Sequence, residues 1–226
     1  LDITAERTLN LLYTYLDIAW LVVYAGVLLW KRRYPAAIAG VIGGAVYFAV
    51  DYGIFYLGLG TRVVRGADPF WFLLWLSTSY GFTNIAWIWL MLDRDGHGRE
   101  WTVLTISGWV VVAFLGQTLG TGFPAIAIAR GTNAYHGAMA LILLAGYLFL
   151  IIRNLRAPSR EKVNLLWLLA IGIGVQFGWE SVLVISGIRP AGVMPLIINS
   201  LLETNMGMPY FYLIHKAFKR RVANVA

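Results

Sequence analysis

Cysteine is absent from the 226 residues, so neither disulfides nor thiolate metal sites contribute, and the redox compartment is left open. Charge is scarce at 13% of residues, and negative charge scarcest, with 11 Asp and Glu against 18 Lys and Arg. Long polar stretches are missing too, and with them the composition of a water-soluble fold. What remains is 59% apolar with a mean hydropathy of +0.70, which places the chain in the membrane class. No cleavable signal peptide is expected ahead of the first apolar span.

Apolar stretches long enough to cross about 30 Å of hydrocarbon, which takes about 20 residues, recur seven times. They lie near residues 12–30, 36–59, 70–92, 102–122, 134–154, 163–187 and 192–215. They predict an all-α bundle of seven transmembrane helices forming one domain over residues 1–226. The basic residues sit in the short connections, a distribution that membrane topology explains more simply than nucleic-acid binding does. One side carries Lys31, Arg32, Arg33, Arg94, Arg99, Arg153, Arg156, Arg160, Lys162, Lys216, Lys219, Arg220 and Arg221; the other carries Arg7, Arg62, Arg65, Arg130 and Arg189. The excess predicts a multi-pass protein with its N-terminus outside and its C-terminus in the cytoplasm.

Two stretches read as copies of one another. Val46-Tyr47-Phe48-Ala49-Val50-Asp51-Tyr52 in the second span matches Val175-Gln176-Phe177-Gly178-Trp179-Glu180-Ser181 in the sixth, each placing a carboxylate among apolar residues. The third and seventh spans also align, Leu76 to Gly81 against Ser200 to Asn205. Three-helix units near residues 12–92 and 134–215, joined by a linker helix at 102–122, give a 3+1+3 parallel repeat, an architecture whose sites lie near the midplane between the halves. After the fourth span, residues 121–133 are apolar yet broken by Pro124, and predict an outer lid or interfacial segment.

An ionisable side chain at membrane depth costs at least about 2.5 kcal/mol, so Asp51, Glu180 and Glu203 mark a functional site. Counted along each span, Asp17 and Gln117 lie in the outer half with them, and one polar pocket is expected. Residues four apart share a helix face, which stacks Gln176 on Glu180 and Asn199 on Glu203. Asn205, Tyr80, Ser79 and Asn84 are further candidates for that pocket. A carboxylic acid in a dry site keeps its proton more readily than in water and makes a general acid. Phe48, Tyr52, Phe55, Phe177 and Trp179 flank the acids, and ring faces stabilise a neighbouring cation by about 2 kcal/mol when desolvated. Acid with aromatic lining is the chemistry of carbocation cascades. The plainer reading is that the acids hydrogen-bond between helices, each contact worth about 0.6 kcal/mol. His136, Tyr135 and Trp101 read as capping or interfacial residues.

The chain resembles the small membrane-bound terpene cyclases of meroterpenoid and indole-terpenoid biosynthesis, the paspaline and pyripyropene type. The resemblance rests on Tyr47-Phe48-Ala49-Val50-Asp51, Thr83-Asn84, Arg99-Glu100-Trp101, a glycine-rich outer end of the fourth span, and Glu203-Thr204-Asn205. It implies acids on the second and last helices, here Asp51 and Glu203, that protonate a terminal epoxide or alkene of a prenyl chain. The chain departs from the family pattern, which has Glu on helix two within an Asn-x-Ala-Trp-Glu-like motif and Asp on helix seven. Gln176-Phe177-Gly178-Trp179-Glu180 is closer to that motif, and assigns Glu180 a share of the acid role.

The expected function is proton-initiated cyclisation of a prenyl chain, with a lipophilic isoprenoid substrate and membrane lipid as partners and no nucleic acid. No Asp-Asp-x-x-Asp cluster is present to hold magnesium and a diphosphate, and no metal or cofactor is expected. The alternative is a small-solute or proton-coupled transporter on the same repeat. A sterol- or drug-binding protein without catalysis also fits buried acids. A retinal photoreceptor is disfavoured, because the last span has no lysine before Lys216.

Overall fold

The computed structural model describes residues 4–131, 135–190 and 192–223, with the side chains of 4, 5, 160 and 193–195 excepted. These residues form two compact units, Leu1–Asn133 with Ser181–Gly192, and Ala134–Glu180 with Val193–Ala226. Residues 132–134, where the expected lid ends and the fifth span begins, lie outside the described residues.

The first unit starts with strand β1 (Thr4–Asn10) and passes directly into helix α1 (Leu11–Trp30). Asn10 makes that junction. Its Oδ1 accepts from the backbone N–H of Tyr13 at 2.9 Å, satisfying one of the orphan donors at a helix start, and its Nδ2 donates to the Gly116 carbonyl at 2.9 Å. Helix α2 (Tyr34–Phe48) continues without a break into a π-helical segment, Ala49–Gly58. Strand β2 (Arg62–Arg65) follows, then α3 (Pro69–Leu92), whose start is set by Pro69 and by Asp68, which accepts from the Trp71 N–H at 3.1 Å. Helix α4 (Gly98–Leu119) leads to strand β3 (Ala125–Gly131).

Small residues let α2 and α3 approach closely. Gly43 and Gly44 on α2 face Gly81, Thr78 and Ile85 on α3, so close that a methyl built on Gly81 would stand 2.7 Å from the Gly44 Cα. Close backbone approach through glycine is how helices gain packing contacts where no hydrophobic effect drives them together. Between the turns that follow α1 and α3, Arg33 and Asp95 form an ion pair at 2.6 Å.

The three strands form an antiparallel sheet in the order β1-β3-β2. The segment expected as a lid or interfacial element is therefore the central strand of a small sheet within an otherwise helical fold. Alternation explains the strand. Ile126 and Ile128 are buried at 2% while Ala125, Ala127 and Ala129 are not, the period-two pattern of a sheet with one covered face.

In the second unit, α5 (His136–Arg156) and α6 (Leu165–Ile185, whose last turn belongs to the first unit) precede one continuous helical run. That run is α7 (Val193–Ile198), a π turn at Asn199–Glu203, and α8 (Thr204–Ala223). Gly146 on α5 packs on Pro209 of α8, and the Tyr210 hydroxyl donates to the Ile142 carbonyl at 3.0 Å.

Among the described residues, five helical stretches are long and apolar enough to cross a membrane: Leu11–Trp30, Tyr34–Gly58, Gly98–Gly122, His136–Arg156 and Leu165–Ile185. Many of their outward side chains are large and apolar, among them Val22, Ile38, Val41, Ile42, Leu141 and Leu166, as expected of surfaces bathed in hydrocarbon. Helix α3 and the run from 193 to 223 are long as well, but the first is diluted by Ser, Thr, Tyr, Asn and Trp and the second ends in a basic stretch.

Gly81→Val forces a branched side chain against the Gly44 backbone, an overpacking that costs about 1–3 kcal/mol. Thermal unfolding in detergent is expected to show a clear loss of stability for Gly81→Val and none for Gly96→Ala, whose site has nothing within 4 Å.

Candidate functional site

The π segment after α2 turns Asp51 away from the apolar exterior, and the side chain it meets is cationic. Asp51 Oδ2 accepts from Arg62 Nη2 at 2.6 Å, and Arg130 Nη1 lies 3.8 Å from Oδ1. Strand pairing explains why both arginines are there. Arg62 and Arg130 are direct partners in the β2–β3 register, and Arg7, opposite Ile128, shares their face of the sheet. Like charges directly opposite one another destabilise a sheet, and Asp51 supplies the countercharge. Burial pushes the Arg62 guanidinium down to about 10; Asp51 offsets part of that fall, and Arg130 and Arg7 add to it. Arg62 therefore stays charged at neutral pH and holds the carboxylate. The Asp51 oxygen facing Arg62 is thus engaged by a guanidinium.

The flanking aromatics are also redistributed. Phe48 stacks on Tyr52 at 5.3 Å, Tyr52 on Tyr56 at 5.4 Å, and Phe70 meets both Phe48 and Tyr52 edge-on, so these rings pack on one another rather than around an acid. Phe55 alone of the group lies beside the ionic cluster, with the Arg130 guanidinium 5.4 Å above its ring. Tyr80 meets Tyr47 edge-on at 5.0 Å.

Asp17, on α1, is 2% exposed and accepts from the Trp75 indole Nε1 at 3.0 Å and from the Ser79 hydroxyl. Gln117 donates to the Thr8 carbonyl at 3.4 Å, securing strand β1. Within the first unit, then, Asp17, Asp51 and Gln117 each make contacts of their own. Asn84 is buried at 0% on α3.

A network of buried polar side chains lies in the second unit. Glu180 and Gln176, both at 0% exposure, lie one turn apart on α6, and Gln176 Nε2 donates to Glu180 Oε1 at 3.2 Å. The Asn199 amide donates to the same oxygen at 3.4 Å, and the Thr204 hydroxyl donates to Gln176 Oε1 at 2.8 Å. This chain fixes the Gln176 amide, since its oxygen faces a hydroxyl and its nitrogen a carboxyl group. Asn205, also at 0%, donates to the Ser200 carbonyl at 3.2 Å and accepts from the Tyr147 hydroxyl at 3.4 Å. Only hydrogen fits at Gly172 because Asn205 and Met208 occupy the space a methyl would take.

The π turn positions these groups. It carries Asn199, whose amide engages Glu180 on α6. Glu203, at the end of that turn, is half-buried. Trp179 is buried at 4%, whereas Phe177 is 51% exposed and cannot line an interior site. Sequence reasoning missed Arg62, Arg130, Trp75, Thr204 and Tyr147. For Arg130 a signal was present in Ala125-Ile126-Ala127-Ile128-Ala129-Arg130, whose alternation puts the arginine on the same face as the buried isoleucines.

Comparison with known proteins gives no match to a family model, a curated protein or a solved structure.

Asp51→Asn removes the anion bonded to the buried Arg62 guanidinium and is expected to destabilise the protein by about 3–5 kcal/mol, the range for breaking a buried pair. Unfolding in detergent by added SDS measures this. The double variant Asp51→Asn with Arg62→Gln is expected to recover part of the loss, and full additivity of the two single variants would contradict the pairing.

Proposed function

We propose that the chain is a membrane-embedded cyclase that starts the cyclisation of a prenyl chain by protonating its distal alkene or terminal epoxide. In this reading the acid is Glu180. The observation that carries it is the convergence of two side-chain amides, Gln176 and Asn199, on one oxygen of a fully buried carboxyl group. Both amides donate to Oε1, so the network holds the carboxyl group in a fixed orientation.

The step balances within the substrate. The Glu180 proton forms the new C–H bond with the alkene electron pair, or opens the epoxide at its oxygen, and the resulting cation is captured by an internal double bond. Loss of a proton from the last cation to the Glu180 carboxylate restores the acid and leaves a product of unchanged mass. The two amides then stabilise the carboxylate between these events, which is the preorganised polar setting general acid catalysis needs. Gln176, held by Thr204, orients the acid. Asp51 contributes charge balance and Glu203, next to Thr204, is retained as a second candidate acid.

The reading takes the chain to cross the bilayer seven times as a 3+1+3 parallel repeat, with the N-terminus outside. A proton-coupled carrier is the second reading, favoured by the π break in the last helical run, since transporters place their sites at interrupted helices. The other long π segment lies after α2, which is not the counterpart of the last helix in that repeat, so the matched breaks of a carrier are not found.

The absence of cysteine makes the topology directly testable. Val63→Cys, on the exposed face of β2, is expected to react with a membrane-impermeant maleimide in intact cells, and Gly96→Cys only after permeabilisation; the reverse pattern overturns the orientation. For the chemistry, membranes carrying wild type are incubated with farnesyl and geranylgeranyl aryl or indole substrates, with and without terminal epoxides. A cyclised product of unchanged mass is expected, falling at least about 100-fold in Glu180→Gln and less in Gln176→Leu. Product formation unaffected by Glu180→Gln removes the acid assignment. No product from any substrate removes the cyclase reading, and proton-coupled uptake into vesicles then tests the carrier.

A further inference from the structure

Helix α3 carries an unusual number of polar groups for a buried helix, and nearly all have identified uses. Trp75 and Ser79 donate to Asp17, the Thr83 hydroxyl donates to the Ser79 carbonyl at 2.9 Å, and the Trp87 indole donates to Thr102 at 3.0 Å. Two side chains differ. Among the described residues, Asn84 is at 0% exposure and neither its Oδ1 nor its Nδ2 has a hydrogen-bond partner, and Ser77 is at 2% and its Oγ has none. A buried amide left unpaired is among the costliest arrangements in a protein interior. Protein interiors keep such a group when something other than the chain itself satisfies it.

Ser77 and Asn84 are seven residues apart, so they lie on nearly one line along the helix, separated by about 10.5 Å of rise. Leu73, Leu76 and Ile88, all buried, border them on the same side of α3. The strip is thus apolar with two polar stops, the lower one offering a donor and an acceptor together.

We infer that Asn84 is the anchor for the polar head group of a lipophilic ligand, a hydroxyl or hydroxy-carbonyl function that both gives and takes a hydrogen bond, with Ser77 as a second stop toward the N-terminal end of α3. The inference rests on the reading of the protein as a binder of isoprenoids, and it assigns the chemistry of the ligand's polar end. Hydrocarbons of the same length lack the group that would satisfy Asn84, so the site discriminates between them and alcohols. Rejection of an analogue that leaves a buried polar group unpaired is a stronger discrimination than a missing methylene gives.

Binding is measured without turnover on the full-length protein in detergent, using farnesol as the hydroxyl-bearing probe and farnesene as the hydrocarbon, by displacement of a fluorescent lipid and by thermal unfolding. Wild type is expected to bind farnesol at least about tenfold more tightly than farnesene, the effect of one satisfied hydrogen bond near the top of its usual range. Asn84→Leu is expected to abolish that preference while binding farnesene as wild type does, and Ser77→Ala to reduce it less. Should Asn84→Leu not fold, Asn84→Ala serves the same comparison. Equal affinity of wild type for the two probes overturns the proposal. So does a preference that survives in the Asn84 variant, or an Asn84→Leu protein that is merely more stable with unchanged farnesol binding, which would show that water alone occupies the position. Because no reaction is monitored, a failure here is distinct from a failure of Glu180→Gln to affect cyclisation.

Discussion

In a hydrocarbon solvent every polar group must find its partner inside the protein, and the arrangement of this chain follows from that constraint. Its exterior is lined by side chains such as Val22, Ile42 and Leu166, while Asn10, Asp17, Asp51, Gln176 and Glu180 are buried. The inversion fixes local geometry as well. Asn10 uses both ends of its amide, one to cap α1 and one to hold α4, and Asn205 uses both of its own, on Ser200 and Tyr147. Where the backbone widens into a π turn, such side-chain bonds replace what the regular helix would have supplied.

The same constraint sorts the acids into different kinds. Asp51 meets guanidiniums presented by paired strands, so its negative charge is part of what makes the sheet tolerable. Asp17 meets an indole and a hydroxyl, and Glu180 meets two amides. Asp51 is bonded to a guanidinium, whereas the two amides that donate to Glu180 are neutral. That difference in partners, more than depth in the membrane, directs the proposed chemistry to Glu180.

Pattern along the chain revealed the helices because hydropathy and periodicity are properties of near neighbours. Pro69 and the apolar run behind it announce α3, and the four-residue spacing of Gln176 and Glu180 announces their bond. The sheet was legible in part, in the alternation of Ala125 to Arg130, yet the proline before it and the flanking glycines read equally as a loop. The bond from Asn199 to Glu180 joins residues nineteen apart in the chain, on different helices, so local spacing did not announce it.

The sequence by itself determined that the chain carries long apolar helices and that a few acids and amides must be buried among them, because those outcomes depend on composition and local spacing. Only the tertiary structure decided which groups each acid faces. Arg62 reaches Asp51 through strand pairing, Trp75 reaches Asp17 from another helix, and Asn199 reaches Glu180 through a turn of irregular period. These partners come from distant parts of the chain, and they are selected by how helices and strands pack, which no local pattern encodes.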